Sequence, residues 1–225
     1  MSFITESRPS DSPFVETVMH GRTVGEGSVI RPAECHWHMV LVRYQGDTQM
    51  IVNGPLTTAG VVPFTEGVEI LWIKLKLGTF MPHLPTSDRR DVETILPGAA
   101  STSFWLKGSA WQFPNYENVD TFVAKLARQE VLVRDPIVDA ALQGEVEDIA
   151  SRTLRYRFVR ATGLTQSHVR QVERAQEAAA LLRHGVSILD AVAELGYYDQ
   201  PHLTRSLKQF VGHTPAQIAR LGELA

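Results

Sequence analysis

The stretch VSILDAVAELGYYDQPHLTRSLKQFVGHTP, residues 186–215, decides how the C-terminal third of the chain folds. Ser187 is a good N-cap for a first short helix, whose apolar residues recur at helical spacing until Gly196. Asp199 is a good cap for a second helix, and Pro201 stands in its first turn, where a missing N–H costs nothing. Two short helices joined by a tight glycine-containing turn predict a helix-turn-helix motif.

Each of these two helices is predicted to bury one apolar face. The first buries Ile188, Ala191, Val192 and Leu195, and the second buries Leu203, Leu207 and Phe210 before it stops at Gly212. The polar side chains left exposed on the second helix are Gln200, His202, Thr204, Arg205 and Lys208. Any amphipathic helix exposes polar residues, but Gln and Arg suit adenine and guanine edges, and Thr and Lys suit phosphates. Their convergence on one helix after such a turn predicts that it reads DNA in the major groove.

A second, weaker copy of this pattern lies at residues 151–163, SRTLRYRFVRATG. Leu154, Phe158 and Ala161 form its inward stripe, and Gly163 ends it. Four arginines surround the stripe: Arg152, Arg155, Arg157 and Arg160. Between the two copies, residues 167–184 predict one continuous helix of about 27 Å, which with its flanking helices could hold two readers near the roughly 34 Å between successive major-groove segments.

Charge is distributed unevenly along the chain. Residues 1–150 hold 12 Lys/Arg against 19 Asp/Glu, a balance of −7, whereas residues 151–225 hold 10 against 6, a balance of +4. Only the C-terminal part therefore suits a polyanionic partner.

Residues 151–221 resemble the paired helix-turn-helix domain of the AraC family. The hallmark runs from a GY or GF turn through an xHxxRxxK-like helix to G-x-TP, and here it reads GYYDQPHLTRSLKQFVGHTP, residues 196–215. The resemblance implies that Gln200, Pro201, His202 and Arg205 face bases, with Thr204 and Lys208 nearer the backbone. It also implies that Arg152, Arg155 and Tyr156 are the readers of the first helix.

Two departures from the family pattern concern the first helix. Tyr156 stands where the family usually has Arg, and the scaffold helix before Ser151 is abbreviated to GEVEDIA, residues 144–150. The whole chain, including LPGAASTSFWLKG at 96–108 and TFVAKLARQEVLVRDP at 121–136, is similar to AraC-type regulators whose N-terminal domain has no assigned effector. The resemblance implies double-stranded DNA as a partner, a homodimer, and RNA polymerase as a candidate partner.

The front half predicts short strands separated by turn residues. VLVRY at 40–44, TQMIV at 48–52 and EILWIKLKL at 69–77 favour an antiparallel barrel or sandwich, and a cupin-like barrel is the fold expected here. Residues 78–118 are expected to cover the sheet as ordered loops with little regular structure. Asn118 is expected to cap a helix reaching about Val131, with its inward side chains being Phe122, Val123 and Leu126.

The patterning changes from strands to helices after Asp135-Pro136. We therefore predict an α+β chain with a cupin-like sensor or dimerisation domain at 1–134 and a DNA-binding domain at 135–225.

The front half offers four candidate effector-binding residues: His36, His38, Trp72 and Trp105. His-x-His on a strand places both imidazoles on one side, as metal-binding cupins do, but no carboxylate follows in residues 39–46. Structural or ligand-contacting histidines are therefore favoured over a metal site. Cys35 beside them could complete a Cys/His site or sense oxidation, but most lone cysteines are inert. An aromatic set predicts either an effector pocket or, preferably, ordinary core: Trp72, Phe104, Trp105, Trp111 and Phe113.

Other function classes find no support in the sequence. No phosphate loop, nucleophile triad or paired-carboxylate motif stands out, so we expect no catalytic residues, no cofactor and no enzyme activity. No apolar run approaches membrane-spanning length, and a cytoplasmic protein is expected. The leading hypothesis is a DNA-binding transcription regulator that responds to a small molecule or partner. The alternatives are a metal-dependent cupin enzyme with a regulatory tail, and a front domain that only dimerises through residues 119–131.

Overall fold

The computed structural model describes residues 3–145 and 149–223. Its strands are β1 (Phe3–Pro9), β2 (Val15–Thr23), β3 (Gly27–Arg31), β4 (His38–Tyr44), β5 (Asp47–Asn53), β6 (Gly60–Phe64), β7 (Glu69–Leu75), β8 (Thr79–Phe80), β9 (Glu93–Ile95), β10 (Gly98–Ala100), β11 (Ser103–Leu106), β12 (Ser109–Gln112) and β13 (Val133–Arg134). Its helices are α1 (Val119–Arg128), α2 (Ile137–Gln143), α3 (Ser151–Thr162), α4 (Gln166–Arg183), α5 (Ile188–Glu194), α6 (Gln200–Phe210) and α7 (Pro215–Glu223), with a 3-10 helix at Thr86–Arg89. The predicted α+β class is confirmed.

The largest element is an antiparallel sheet in the order β1-β2-β7-β4-β5-β9. Met39 of β4 pairs with Ile73 of β7 on one side and Val52 of β5 on the other, and all three side chains are buried. The alternation predicted for β7 is confirmed, because Leu71, Ile73 and Leu75 are buried and the residues between them are not.

The cupin-like barrel predicted for the front half stays a prediction, because the described strands form several separate sheets. β1 and β9 are the edges of the six-stranded sheet, and the other described strands form three small sheets: β10-β11-β12, β13-β8 and β3-β6. A sheet can present the same alternating pattern whether or not its edges meet, so strand periodicity alone does not distinguish the two.

Residues 78–118 contain regular structure that the sequence did not reveal. β11 and β12 form a hairpin in which Leu106 pairs with Ser109, and its two loop residues have positive φ, 49° at Lys107 and 75° at Gly108. Two-residue hairpin loops of this kind usually carry Asn-Gly or Asp-Gly. Because Lys107 stands at the first loop position, the sequence did not indicate a hairpin here. The expectation of mostly irregular loops is wrong.

The helix α1 packs onto the sheet as predicted, with Phe122, Val123 and Leu126 buried. It ends at Arg128, earlier than expected. The predicted cap is wrong, because the Asn118 side-chain oxygen accepts a hydrogen bond from the Asn115 N–H and from no N–H of the helix. None of the described helices is both long and apolar enough to cross a membrane.

The chain divides into two compact units. The first comprises residues 1–27, 36–55 and 63–165, and the second comprises 28–35, 56–62 and 166–225. This division does not coincide with a break between residues 134 and 135, since α2 and α3 lie in the first unit and two front-half segments lie in the second.

Candidate nucleic-acid interface

The helix pair α5 and α6 begins at the two predicted caps. The Ser187 hydroxyl accepts a hydrogen bond from the Asp190 N–H at 3.1 Å, and the Asp199 carboxylate accepts one from the His202 N–H at 2.7 Å. Each cap supplies a partner for one of the N–H groups that a helix start leaves unbonded. Both predicted N-caps are confirmed.

One face of α6 is buried, as the spacing predicts. Leu203, Leu207 and Phe210 are buried together with Ser206. The turn before the helix is anchored to this face by Tyr197, whose hydroxyl lies 3.2 Å from Ser206 Oγ. Burial of this stripe and the Tyr197 anchor together set which side of α6 faces outward. The first helix of the pair is less buried than predicted, because Ala191 is its only fully buried residue.

The outward face of α6 presents the predicted DNA readers. Pro201, Arg205 and Lys208 recur at i, i+4 and i+7 and are exposed, and Gln200 is exposed beside them. Thr204 is half-buried at the edge of this face. The helix contains no acidic residue, so its exposed side carries no negative charge. Such a face suits the base edges and phosphates of a major groove.

His202 is the most constrained of the predicted readers on α6. Its ring stands edge-on to Tyr197 with ring centroids 5.2 Å apart, and its Nδ1 accepts a hydrogen bond from the Tyr198 N–H at 3.4 Å. This hydrogen bond occupies Nδ1, so Nε2 is the ring nitrogen that remains for a ligand.

Tyr198 is a candidate contact that the sequence did not identify. Its side chain is 91% exposed and directly precedes the Asp199 cap, whereas the neighbouring Tyr197 is buried. The sequence GYY does not by itself indicate which of the two tyrosine rings is buried. A phenol at the start of α6 can donate a hydrogen bond to a phosphate.

The helix α3 presents the three predicted readers of the first motif. Arg152, Arg155 and Tyr156 are all exposed, and Tyr156 is 65% exposed. Phe158 and Ala161 are buried as predicted, while Leu154 is only half-buried. The structure therefore gives this helix an outward face with two guanidinium groups and one phenol.

A third arginine of α3 is committed to a structural ion pair. Arg157 donates from Nε to the Asp135 carboxylate at 3.1 Å. The hydrogen bond to Asp135 raises the pKa of Arg157 above its ordinary value, so the guanidinium stays charged. Of the four arginines around the stripe, this one holds α3 in place and is not offered to a ligand.

The C-terminal end of α3 is fixed by the 3-10 segment. The Thr86 hydroxyl donates to the Arg160 carbonyl at 2.9 Å. Gly163 follows with a φ of 77°, and a Cβ there would come within 3.0 Å of the Thr86 carbonyl oxygen. The abbreviated lead-in predicted before α3 falls partly on residues 146–148, which lie outside the described residues; α2 ends at Gln143.

The face of α3 that carries Tyr156 also borders a cleft of about 350 Å³. Its walls are Phe80, Met81, Pro82, Leu84, Pro85, Thr86, Tyr156, Val159 and Arg160. The volume lies at the lower end of the range of small-molecule sites.

Two front-half histidines, two residues apart in the sequence, have contrasting surroundings. His36 Nε2 lies 2.9 Å from a Glu16 oxygen, and Lys74 Nζ lies 3.0 Å from the other. The hydrogen bond with His36 lowers the pKa of Glu16 to about 2, against the opposing effect of burial. His38 is 2% exposed and stands edge-on to Trp72, with ring centroids 5.2 Å apart.

The five aromatic residues expected to form one set are separated by the sheet geometry. Phe104 stacks on Phe113 with centroids 5.5 Å apart and lies in the core with Trp111. Trp105 alternates with the buried Phe104 and Leu106 and is 47% exposed, so it does not line the same interior. Trp72 packs on His38 instead. The preferred interpretation as ordinary core is confirmed for Phe104, Trp111 and Phe113, and it is wrong for the exposed Trp105.

The histidines do not come with a third metal ligand in the part of the chain that the structure describes. Across residues 3–145 and 149–223, no group of three or more His, Cys, Asp or Glu side chains could hold a metal ion. Glu16, the carboxylate beside His36, is held by His36 and Lys74. Cys35 is buried.

Comparison with known proteins identifies the C-terminal region. Residues 145–220 match a protein-family model described as a helix-turn-helix domain, which confirms the predicted motif. The HTH-type transcriptional regulator RipA of Corynebacterium glutamicum is 33% identical over 89 residues, 39% of this chain and 27% of that protein. RipA of Corynebacterium diphtheriae is 38% identical over 74 residues, 33% of this chain and 22% of that protein.

These similarities are confined to part of each protein. The matched region spans about a quarter of the length of the curated relatives. No solved structure matches the chain at a comparable level. The matches support the AraC-type resemblance of the C-terminal region and leave the cupin likeness of the front half as a prediction.

Proposed function

We propose that this chain is a sequence-specific DNA-binding transcription regulator that reads DNA chiefly through α6. One observation carries the proposal: Pro201, Arg205 and Lys208 form an exposed, acid-free stripe on a helix whose opposite face is buried and whose start is capped. The helix lies within the region that matches a helix-turn-helix domain. The printed names of the two relatives, both HTH-type transcriptional regulators, support the same role.

The side chains on α6 have different proposed roles in DNA recognition, according to their chemistry. Arg205 would donate two hydrogen bonds to the O6 and N7 of a guanine, which is the commonest specific contact in the major groove. Gln200 and His202 would address neighbouring base edges, and Pro201 would make apolar contact with a thymine methyl. Lys208 and Thr204, near the groove walls, would bind phosphates and set the register.

The helix α3 is the proposed second reader. Arg152 and Arg155 can each pair with a guanine or a phosphate, whereas the Tyr156 phenol makes at most a single donated hydrogen bond or an apolar contact. We therefore expect α3 to discriminate between bases less strictly than α6. We also propose that the two helices read successive major-groove segments, which lie roughly 34 Å apart.

The front half is proposed to control DNA binding. A small molecule or partner that binds one conformation better than another would shift the population of the DNA-binding form. His36, His38, Trp72 and Trp105 remain the candidate effector contacts, and the first three have the sheet geometry described above. A homodimer formed through the front half and contact with RNA polymerase also belong to this proposal. We assign no catalytic or cofactor chemistry to the chain.

A selection from random-sequence duplexes, followed by competition binding at physiological salt, tests the proposal. We expect the full chain to prefer a selected fragment over bulk DNA. Arg205→Ala should lower the specific affinity by about 1–3 kcal/mol, the cost of one bidentate base contact. Arg220→Ala removes the same charge at an exposed position of another helix, α7, and serves as the matched control.

Two results would contradict the proposed function. The first is a wild-type chain that prefers no fragment over bulk DNA. The second is a preference that Arg205→Ala and Arg220→Ala reduce equally, since a loss of charge alone weakens all DNA binding to a similar degree.

A further inference from the structure

The C-terminal end of α6 is held by two peptide groups from the front half of the sequence. The last carbonyls of a helix have no partner within it. The Ala59 N–H donates to the Gln209 carbonyl at 2.8 Å, and the Ala33 N–H donates to the Phe210 carbonyl at 2.8 Å. Two of the carbonyls at the end of the proposed reading helix are therefore satisfied from residues more than a hundred positions earlier in the chain.

The segments that supply these donors are tied to each other. We call residues 28–35 and 56–62 the clamp segments; they belong to the same compact unit as α4 to α7. The Glu34 N–H donates to the Leu56 carbonyl at 3.0 Å, and the Leu56 N–H returns a hydrogen bond to the Glu34 carbonyl at 2.7 Å. This reciprocal pair joins the two segments, so the two donors reach α6 together.

The long helix α4 holds the first clamp segment from another side. Gln176 Nε2 donates to the Ala33 carbonyl at 2.9 Å, so a single buried alanine bonds to α4 through its C=O and to α6 through its N–H. The close approach also depends on Gly212, where φ is 84° and a Cβ would lie 2.4 Å from the Ile30 side chain. The contact is thus specific in geometry as well as in hydrogen bonding.

The clamp segments continue directly into the central hairpin of the front half. His38 pairs with Asn53 at the open end of the β4-β5 ladder. The next pair, Glu34 with Leu56, lies four residues before His38 and three residues after Asn53. His36 and His38, candidate effector contacts, lie on this short stretch.

We infer that Ala33, Ala59 and Gln176 are positioning residues for α6 and that the clamp segments are therefore part of the DNA-reading machinery. The inference rests on the proposed function of α6. Loss of the two donors leaves the Gln209 and Phe210 carbonyls to water and loosens the last turn, which carries Lys208. DNA reading would then weaken without any change at the base-facing side chains.

Amide hydrogen exchange on the wild-type chain tests the geometry without DNA. The Ala33 and Ala59 N–H groups should exchange slowly, because the hydrogen bond that each donates must break before the proton can exchange. The N–H of Gly46, in the exposed β4-β5 turn, provides the unprotected reference. Exchange at Ala33 and Ala59 as fast as at Gly46 would overturn the inference. This outcome is independent of whether the chain binds DNA, so it is distinguishable from failure of the proposed function.

A matched pair of substitutions on α4 tests the consequence. Gln176→Glu keeps the size of the side chain but removes the donor to the Ala33 carbonyl, whereas Gln171→Glu makes the same change at an exposed position of the same helix. Gln176→Glu should speed exchange at Ala33 and lower affinity for a selected fragment roughly tenfold relative to Gln171→Glu, about the effect of one hydrogen bond. The two variants should bind bulk DNA equally, because their charges are equal.

Equal specific affinity in the two variants would overturn the positioning role, even if exchange at Ala33 changes. Circular dichroism checks that both variants remain folded. If Gln176→Glu does not fold, the wild-type exchange measurement still applies, and fast exchange at Ala33 and Ala59 would overturn the inference.

Discussion

The Tyr197 hydroxyl lies 3.2 Å from Ser206 Oγ, and both groups are buried between the turn and α6. This hydrogen bond joins a residue of the turn between α5 and α6 to the packed face of the proposed reading helix. The guanidinium of Arg174 covers the Tyr197 ring at 4.5 Å, which adds a contact from α4.

Tyr197→Phe should therefore destabilise the chain by about 0.5–1.5 kcal/mol, because it removes a buried hydrogen bond while keeping the ring. Tyr198→Phe is the matched control, since that ring is almost fully exposed. Urea unfolding of the two variants checks this prediction. Equal unfolding midpoints would show that the buried pair contributes nothing.

The cap of α6 provides a second prediction. Asp199→Ala should cost about 1 kcal/mol of unfolding free energy, because it leaves the His202 N–H without its side-chain acceptor. Asp199→Asn keeps an acceptor oxygen at the cap and should retain most of the stability. Thermal unfolding of both variants distinguishes capping from a charge effect, and an Asn variant as unstable as the Ala variant would argue against the cap.

Tyr156 is the position at which α3 departs from the arginine usual in AraC-type domains. Tyr156→Arg should tighten binding to DNA and steepen its dependence on salt by about 0.9 in the log–log slope if the new charge meets a phosphate. Tyr156→Gln, which adds no charge, serves as the control. Anisotropy titrations over a range of salt concentrations measure both slopes. An unchanged slope with Arg would mean that this face of α3 does not approach the DNA backbone.

The Glu16 carboxylate predicts a pH dependence of stability. Its hydrogen bond with His36 lowers its pKa to about 2 from 4.5, so its stabilising effect is complete above pH 4.5 and is lost as pH falls toward 2. Because the side chain is 41% exposed, solvent screening should keep the effect below about 1 kcal/mol.

Unfolding free energies of the wild type and Glu16→Gln, measured between pH 6 and pH 3, test this prediction. The difference between the two proteins should shrink as the pH falls. A difference that stays constant over this range would show that Glu16 does not carry the dependence.

Local sequence signals predicted the second helix-turn-helix well. Ser187, Asp199 and Pro201 mark helix starts through interactions within three residues, and Leu203 and Leu207 follow the 3.6-residue period. Such features are set by the local backbone, so they can be read without knowing the fold.

Features that depend on distant partners could not be predicted in this way. Arg157 looks like any other basic residue of α3 until Asp135 is placed beside it. The clamp segments contact α6 through main-chain N–H groups, which every non-proline residue possesses, so Ala33 and Ala59 carry no distinguishing sequence signal. The positions of Trp72 and Trp105 likewise depend on strand pairing, which periodicity alone does not determine.

The most direct test of the central claim is a cycle between Arg205 and individual guanines of a selected DNA fragment. Replacing one guanine at a time by 7-deazaguanine removes its N7 acceptor, and binding of each duplex is compared for the wild type and Arg205→Ala. If Arg205 reads a base, one replacement should weaken wild-type binding by about 1 kcal/mol or more and leave the Arg205→Ala variant unaffected at that position. If every replacement affects the two proteins equally, α6 does not read DNA through Arg205 and the account is wrong.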